Sequence, residues 1–311
     1  MSPAPGQPVR LDAAAGGAGG SWYVLLDGLA RLVGEVHPWI ELRVVEGGGV
    51  MNHANVGVGR LPVAILNPPM TVAARAGRPP FDRALPDLRV GIANLPVNHL
   101  QFMVAREVPI VNLREWLARR YPLRVPVDRV GTVDRLVFEL ALDHLGITPA
   151  ALESWGGGLV AADNYHQQLA LYRDGTVDAL WQFMGIPSPS IQDAHASRPV
   201  RPLALPSELI ARLTALGWSA AELPAGAYGA VASPVPTVAM GTSLGFHASV
   251  PADVVFAITA AICDNSERVR AIHPSAACFD PSRAHLEPGG PLHTGAARYF
   301  AARGAPGVEL R

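Results

Sequence analysis

The sequence predicts an α/β protein of two lobes, each a mostly parallel sheet with flanking helices, joined by extended crossings of the chain. Three observations lead there. Short apolar strands alternate with 3.6-period amphipathic segments through Val9–Leu66. The same rhythm restarts near Leu123, after a Pro-, Arg- and Gly-rich connection and two extended pieces. Small or glycine-rich loops stand at the strand ends, the edge where open α/β sheets hold their ligands.

Val9–Asp12 reads as the first strand, and Ala13–Gly20 contains only alanine and glycine. Such a run lets a ligand approach the backbone closely. Ser21 then opens a helix with Trp22, Leu25, Leu26, Leu29, Leu32, Val33 and Val36 on one face, stopped by Pro38. A helix start behind a bare loop offers unpaired N–H groups and the positive end of the dipole to a carboxylate or phosphate. Ile40–Val45 is the second strand, running through Glu46-Gly47-Gly48-Gly49 into a short helix over Val50–Gly57. Leu61–Leu66 is the third, ending at Asn67-Pro68-Pro69, and Thr71–Asp87 reads as a connection.

Leu88–Leu95 and His99–Ala105 are strand-like, and Leu123–Val127 restarts the βα series. Thr132 is positioned as N-cap of a helix burying Val133, Leu136, Val137, Leu140 and Ala141. A helix over Asp163–Tyr172 stops at Asp174-Gly175, and Val177–Phe183 is a strand ending at Met184-Gly185. Pro236–Thr242 is extended, and Pro251–Ile272 reads as one long helix with Pro in its first turn and basic residues in its last. These elements place lobe 1 at residues 1–98 plus 240–311 and lobe 2 at 99–239, with hinges near Asn94–Ala105 and Pro234–Gly245 and a cleft between lobes as the expected binding place.

Composition narrows the function. Net charge is −1, charged residues are 16% of the chain and no basic stripe is present, so nucleic acid is excluded as a partner. Apolar blocks are broken by 31 Gly and 29 Pro, and none approaches the roughly 18 residues of a membrane span. Met1–Gln7 lacks the basic start and apolar core of a signal peptide, so the expected compartment is the cytoplasm unless a leader was removed. Cys263 lies in an apolar helical stretch and reads as a buried free thiol, with a disulfide to Cys278 as the alternative. The ten histidines form no metal-binding spacing and there is no Cys-x-x-Cys, so neither metal nor cofactor is expected. His53 and His166 lie near the proposed loops and read either as ligand contacts or as surface residues.

Two sharper motifs fail on context. After Gly17-x-Gly19 the third small position of a dinucleotide fingerprint is Trp22, too large for close helix–strand packing. Gly241-Thr242-Ser243-Leu244-Gly245 fits a nucleophile elbow, but no helix starts at Gly245.

The motif order resembles the TAXI-type solute-binding subunits of TRAP transporters. Gly16–Tyr23 is similar to that family's GGTGG loop with aromatics, and Glu46–Gly49 with Asn52 to its second glycine loop. Leu171–Trp181, Met184–Pro187, Leu223–Tyr228 and Leu292–Phe300 resemble its L-x-D-G-x-I-D-A, G-x-P, I-P-A-G-x-Y and L-H-P-G-A-I-R-Y-Y segments. The chain departs from the pattern in Ala18 for Thr, in Arg129–Asp134 for PGSGTE, and in Asn67-Pro68-Pro69 for Gln-x-Asp. The resemblance implies a type II periplasmic-binding-protein-like fold and a monomer that captures a small carboxylate for membrane transporter subunits.

The expected ligand set is Gly17, Ala18, Gly19, Gly20, Ser21, Trp22, Tyr23, Gly48, Gly49, Asn52, Asn67, Gly131, Thr132, Val133, Arg135, Phe183, Met184 and Gly185. Backbone N–H groups of Gly17–Ser21 and Gly131–Val133 hold the anion in this reading. Arg135 offers a planar fork to its carboxylate, and Trp22, Tyr23, Trp181, Phe183 and Met184 form an apolar wall. No catalytic residue is assigned. The alternatives are a cytoplasmic enzyme on the same fold, such as a decarboxylase or dehydratase of a cyclic or aromatic acid, and a cytoplasmic ligand sensor.

Overall fold

The computed structural model describes residues 8–18 and 20–308. Along the chain run β1 (Val9–Ala14), α1 (Ser21–Val36), β2 (Ile40–Val45), α2 (Gly49–Gly57), β3 (Val63–Leu66), α3 (Pro68–Ala76) and β4 (Leu88–Ala105). Then come α4 (Leu113–Arg119), β5 (Arg124–Val127), α5 (Val133–Leu145), α6 (Pro149–Ser154), β6 (Gly158–Ala161), α7 (Tyr165–Arg173), β7 (Ala179–Met184), α8 (Pro189–Ser197) and β8 (Val200–Pro202). The chain closes with α9 (Ser207–Ala215), β9 (Ser219–Leu223), β10 (Val235–His247), α10 (Ala252–Cys263), α11 (Ser266–Ile272) and α12 (Thr294–Ala302).

Two compact units emerge, one built on Ser21–Val97 with β1 and the chain from Met240 onward, the other on Asn98–Ala239. In the first, β1 lies between β2 and β3 and is parallel to both, with Val9 opposite Ile40 and Ala13 opposite Val63. β10 runs antiparallel to β3, Ser243 facing Leu66. Leu25, Leu26 and Leu29 of α1 and Val254, Val255 and Ile258 of α10 are all buried in one core with Ile65 and Phe246. Gly295 lets α12 lie directly on α10, since a Cβ there would stand 2.1 Å from the Ala252 carbonyl oxygen.

In the second unit β4 is antiparallel to β7 and β8, β9 is antiparallel to β10, and β5 and β6 form a separate parallel pair. Strand sense there is mixed rather than mostly parallel. Its core is aromatic: Trp181 stands edge-on to Phe102 and Phe138, each at 5.1 Å between ring centres.

Several elements differ from the sequence expectation. The stretch Thr71–Asp87 is not all connection: up to Ala76 it belongs to α3, which starts behind Asn67 as N-cap with the prolines in the first turn, where a missing N–H costs nothing. The two extended pieces at 88–105 are one strand of 18 residues. The long helix at 251–272 breaks at Asp264-Asn265 into α10 and α11. The short helices α4 and α6, with N-caps Asn112 and Thr148, were not anticipated. In α5 the buried face is Val133, Asp134, Val137, Phe138, Ala141 and Leu142, so Leu136 and Leu140 lie at its margin.

Candidate functional site

The carboxyl ends of the three adjacent parallel strands of the first unit each lead into a helix. Behind β1 the chain is glycine and alanine up to Ser21, the first residue of α1; Gly17 and Ala18 are half-buried, Gly20 is buried, and Gly19 lies outside the described residues. Behind β2, Gly47 and Gly48 lead into Gly49, and behind β3, Asn67 leads into Pro68. Three helix starts therefore open from one sheet edge, each contributing roughly half a positive charge.

Asn52 fastens two of these loops. Its amide nitrogen donates to the carbonyls of Ala15 at 2.7 Å and Ile65 at 2.8 Å, and its Oδ1 accepts from Gly48 N at 3.1 Å. Both amide hydrogens are thus spent on backbone, and the residue is 1% exposed. Asn52 is a positioning residue rather than a ligand contact, and the Gly48 N–H is likewise occupied. Gly47 is required here, because a Cβ would come within 2.2 Å of Asn52 Oδ1. The Gly47 N–H donates to Gly16 O at 3.2 Å, tying the second loop to the first.

His53 is fully buried rather than exposed or ligand-facing. Nδ1 bonds the Gly49 carbonyl, and Nε2 lies 3.1 Å from Thr71 Oγ1 and 3.4 Å from Asn67 N. Burial holds its pKa down at about 4, so it is neutral at pH 7. Asn67 caps α3 with Oδ1, accepting from Met70 N at 3.1 Å. Its Nδ2 is buried and has no hydrogen-bond partner. Thr242 of β10 accepts from Trp22 Nε1 at 3.0 Å, and Ser243 Oγ beside it is buried without a partner. Trp22 and Tyr23 are half-buried at the head of α1. Ser243 sits inside a continuous strand, which removes the nucleophile-elbow reading.

The loops of the second unit are acidic. Thr132 Oγ1 accepts from Arg135 N at 3.2 Å as N-cap of α5, and Gly131 takes φ +94°. Asp134 turns inward, where Oδ1 accepts from Phe183 N and from Tyr165 OH, both at 2.8 Å. Burial raises the pKa of Asp134, and burial together with the Asp134 charge raises that of Asp128 at the end of β5. Any anion at the Gly131–Val133 amides would meet the field of these two acids. Arg135 is not poised for a carboxylate, because its Nε binds Glu139 on the next turn at 2.6 Å. Trp181, Phe183 and Met184 are core residues at 2–3% exposure, Gly185 is buried, and Trp181 Nε1 bonds the Asp134 carbonyl at 3.0 Å. His166 is exposed.

Asp134 and Tyr165 are not in the expected ligand set; an acid in the first turn of a capped helix is the only local sign of the role of the first. The recurring motifs mostly build structure. Asp178 takes Arg124 through both carboxylate oxygens at 2.6 and 2.8 Å. Tyr228 OH donates to Gln101 at 2.7 Å and accepts from Ser188 N at 2.9 Å, while His293 caps α12 through Gly295 N. Cys263 is buried and Cys278 exposed, both as free thiols. Among the described residues no group of His, Cys, Asp and Glu is arranged to hold a metal ion, and no helix is long and apolar enough to cross a membrane.

The model of the NMT1-like family matches residues 13–304. A comparison with curated proteins finds no match. Among solved structures, MatC from Rhodopseudomonas palustris with bound malate is similar at 16% identity and TM-score 0.56, over 86% of this chain and 89% of that one. A second R. palustris protein, with adipate, aligns at 16% identity and TM-score 0.52 over 85% and 88%. The periplasmic binding protein BugD aligns at 12% identity and TM-score 0.56 over 97% and 99%. At these identities the likeness establishes the fold, which is periplasmic-binding-protein-like.

Proposed function

The chain belongs to the NMT1-like family, and from that premise we propose that it is a solute-binding protein for a small carboxylate-bearing organic acid, delivered to a TRAP-type membrane transporter from the periplasm. The observation that carries the reading is the sheet edge of the first unit. Three helix starts open from it behind short loops rich in small residues, and Asn67 Nδ2 is a buried N–H with no acceptor of its own. A carboxylate supplies that acceptor and the negative charge that the helix dipoles favour. Malate and adipate in MatC and the second R. palustris protein are ligands of this chemical class.

The opening turns of α1 and α2 bind through backbone, and α3, which begins with two prolines and whose Met70 N–H is spent on Asn67 Oδ1, contributes through Asn67 Nδ2; side chains around Trp22, Tyr23 and Thr242 then set which acid fits. The site needs no metal or cofactor, and the protein acts as a monomer.

The test is a thermal-shift panel of C4–C8 mono- and dicarboxylates on the wild type and on Asn67→Asp. Aspartate keeps the cap oxygen but puts a second acceptor where the free N–H stood. At least one acid is expected to raise the wild-type melting temperature by several degrees at about 100 times its Kd, worth ~2.7 kcal/mol. Asn67→Asp buries a carboxylate oxygen with no donor at a site of 0% exposure, so it should melt below the wild type, and in its folded form it should lose at least tenfold in affinity. Flat melting curves across the panel, or an unchanged response in Asn67→Asp, would overturn the proposal.

A further inference from the structure

The first unit also holds a cavity of about 410 Å3 walled by α10, α12, the turn at 281–283 and the chain after α12. It involves none of the strand-end loops described above. Its floor is His285, 8% exposed, with both ring nitrogens buried and neither hydrogen-bonded. Each ring nitrogen of an imidazole is a hydrogen-bond donor or acceptor, so two hydrogen-bonding capacities are left unmet in a place water reaches poorly. The ring leans on Phe300 at 5.4 Å, which holds it at the cavity wall.

The charged groups at the rim are already matched. Arg303 binds both oxygens of Asp264 at 2.8 and 2.7 Å and lies 3.7 Å over the Tyr299 ring, and Tyr299 OH donates to Asp264 at 2.6 Å. A carboxylate therefore finds no uncommitted cation among the lining residues, and a cation finds no uncommitted acid. Cys263 lines the cavity as a thiol whose pKa burial pushes up to about 12, so it contributes no anion at neutral pH. Among the described residues no three ligating side chains come together to hold a metal ion there. What remains is an apolar slot of Tyr299, Phe300, Pro281, Ala305 and Pro306 with one polar demand at His285.

We propose that this cavity is a second small-molecule site, for a neutral flat ring bearing one hydroxyl or N–H, of the phenol or indole class. The ring packs against Phe300 and the prolines, and its polar group bonds His285. The site stands whatever solute the strand-end loops take.

The test is calorimetric titration of the wild-type protein with phenol and with indole, alongside His285→Phe and Ala305→Trp, with the histidine ring 15N resonances recorded in the wild type. The expected result is one equivalent bound with Kd of about 1 mM or tighter and a shift of the His285 ring nitrogens on saturation. Affinity should fall at least tenfold in His285→Phe, which keeps the ring but not its nitrogens, and should vanish in Ala305→Trp, which fills the mouth. Absence of saturable heat with both probes, or His285 nitrogens unmoved at saturation, would overturn the site and leave the cavity to water. Equal affinity in the wild type and both folded variants would overturn it as well. Should the variants fail to fold, the wild-type 15N shift decides alone.

Discussion

Replacing Asn52 by alanine removes the clamp between the strand-end loops of the first unit. The side chain makes three well-formed hydrogen bonds, to Ala15 O, Ile65 O and Gly48 N, at 2.7 to 3.1 Å, with a weaker reach to Ala14 O at 3.4 Å. All lie in a site with 1% exposure, so the carbonyls and N–H left behind gain no water. At about 1 kcal/mol net per bond plus desolvation of the stranded groups, the expected loss is about 3–5 kcal/mol. Asn52→Asp should be worse, because it turns a carboxylate toward two carbonyl oxygens. Urea unfolding followed by tryptophan fluorescence and far-UV circular dichroism measures both, the midpoint falling while the slope holds. A loss under 1 kcal/mol for Asn52→Ala, or a milder effect from Asp than from Ala, would refute the clamp. A loss of ligand affinity with stability intact would make Asn52 a ligand contact instead.

The remaining expectations concern packing and pH. Gly295→Ala sets a methyl 2.1 Å from the Ala252 carbonyl oxygen and 2.8 Å from Phe256 N, both backbone, so α12 must lift from α10 at a cost of about 2–3 kcal/mol; an unchanged urea midpoint would contradict this. Burial keeps His53 and His293 at about 4, below the ordinary value near 6.5 of the unfolded chain. Between those values the unfolded state binds protons that the folded state refuses, so stability falls as pH drops from about 6.5 toward 4, by up to about 3 kcal/mol per residue. Asp134 has the opposite sign, its raised pKa costing stability as pH rises. Asp134→Asn should therefore raise stability by about 1–2 kcal/mol at pH 8 and steepen the loss toward pH 5. Urea midpoints at pH 8, 6.5 and 5 test both; no pH dependence in the variant would refute the histidine assignment, and no gain at pH 8 the aspartate one.

What was legible in the sequence was local. The α/β class, the 3.6-period face of Ser21–Val36 and the Thr132 cap depend on near neighbours, and all three stand in the structure. The errors also have local causes overruled at a distance. Thr71–Asp87 reads as a connection because it is rich in Pro, Arg and Gly, yet its first residues belong to α3, which proline is free to start and Asn67 caps. The apolar run 251–272 reads as one helix, but Asp264 at its centre turns out to bind Tyr299 and Arg303, and the helix stops there. The α5 pattern misled because Asp134, a charged residue, is buried against Phe183 N, Trp181 and Tyr165. For the candidate site the glycine loops were visible, but what their neighbours do was not. Trp22 meets Thr242 across 220 positions, Asn52 meets Ala15 and Ile65, and Arg135 spends its charge on Glu139. Residue type suggests a contact, and only the fold says with whom.

The central claim is recognition of a carboxylate, and its most direct measurement is calorimetric titration of one acid against its own neutral amide. The tightest-binding acid of the panel should bind one equivalent at least tenfold more tightly than the amide of the same shape, about 1.4 kcal/mol, because helix dipoles favour the charge as well as the oxygen. Equal affinity for acid and amide, or saturable binding of the amide alone, would contradict the account.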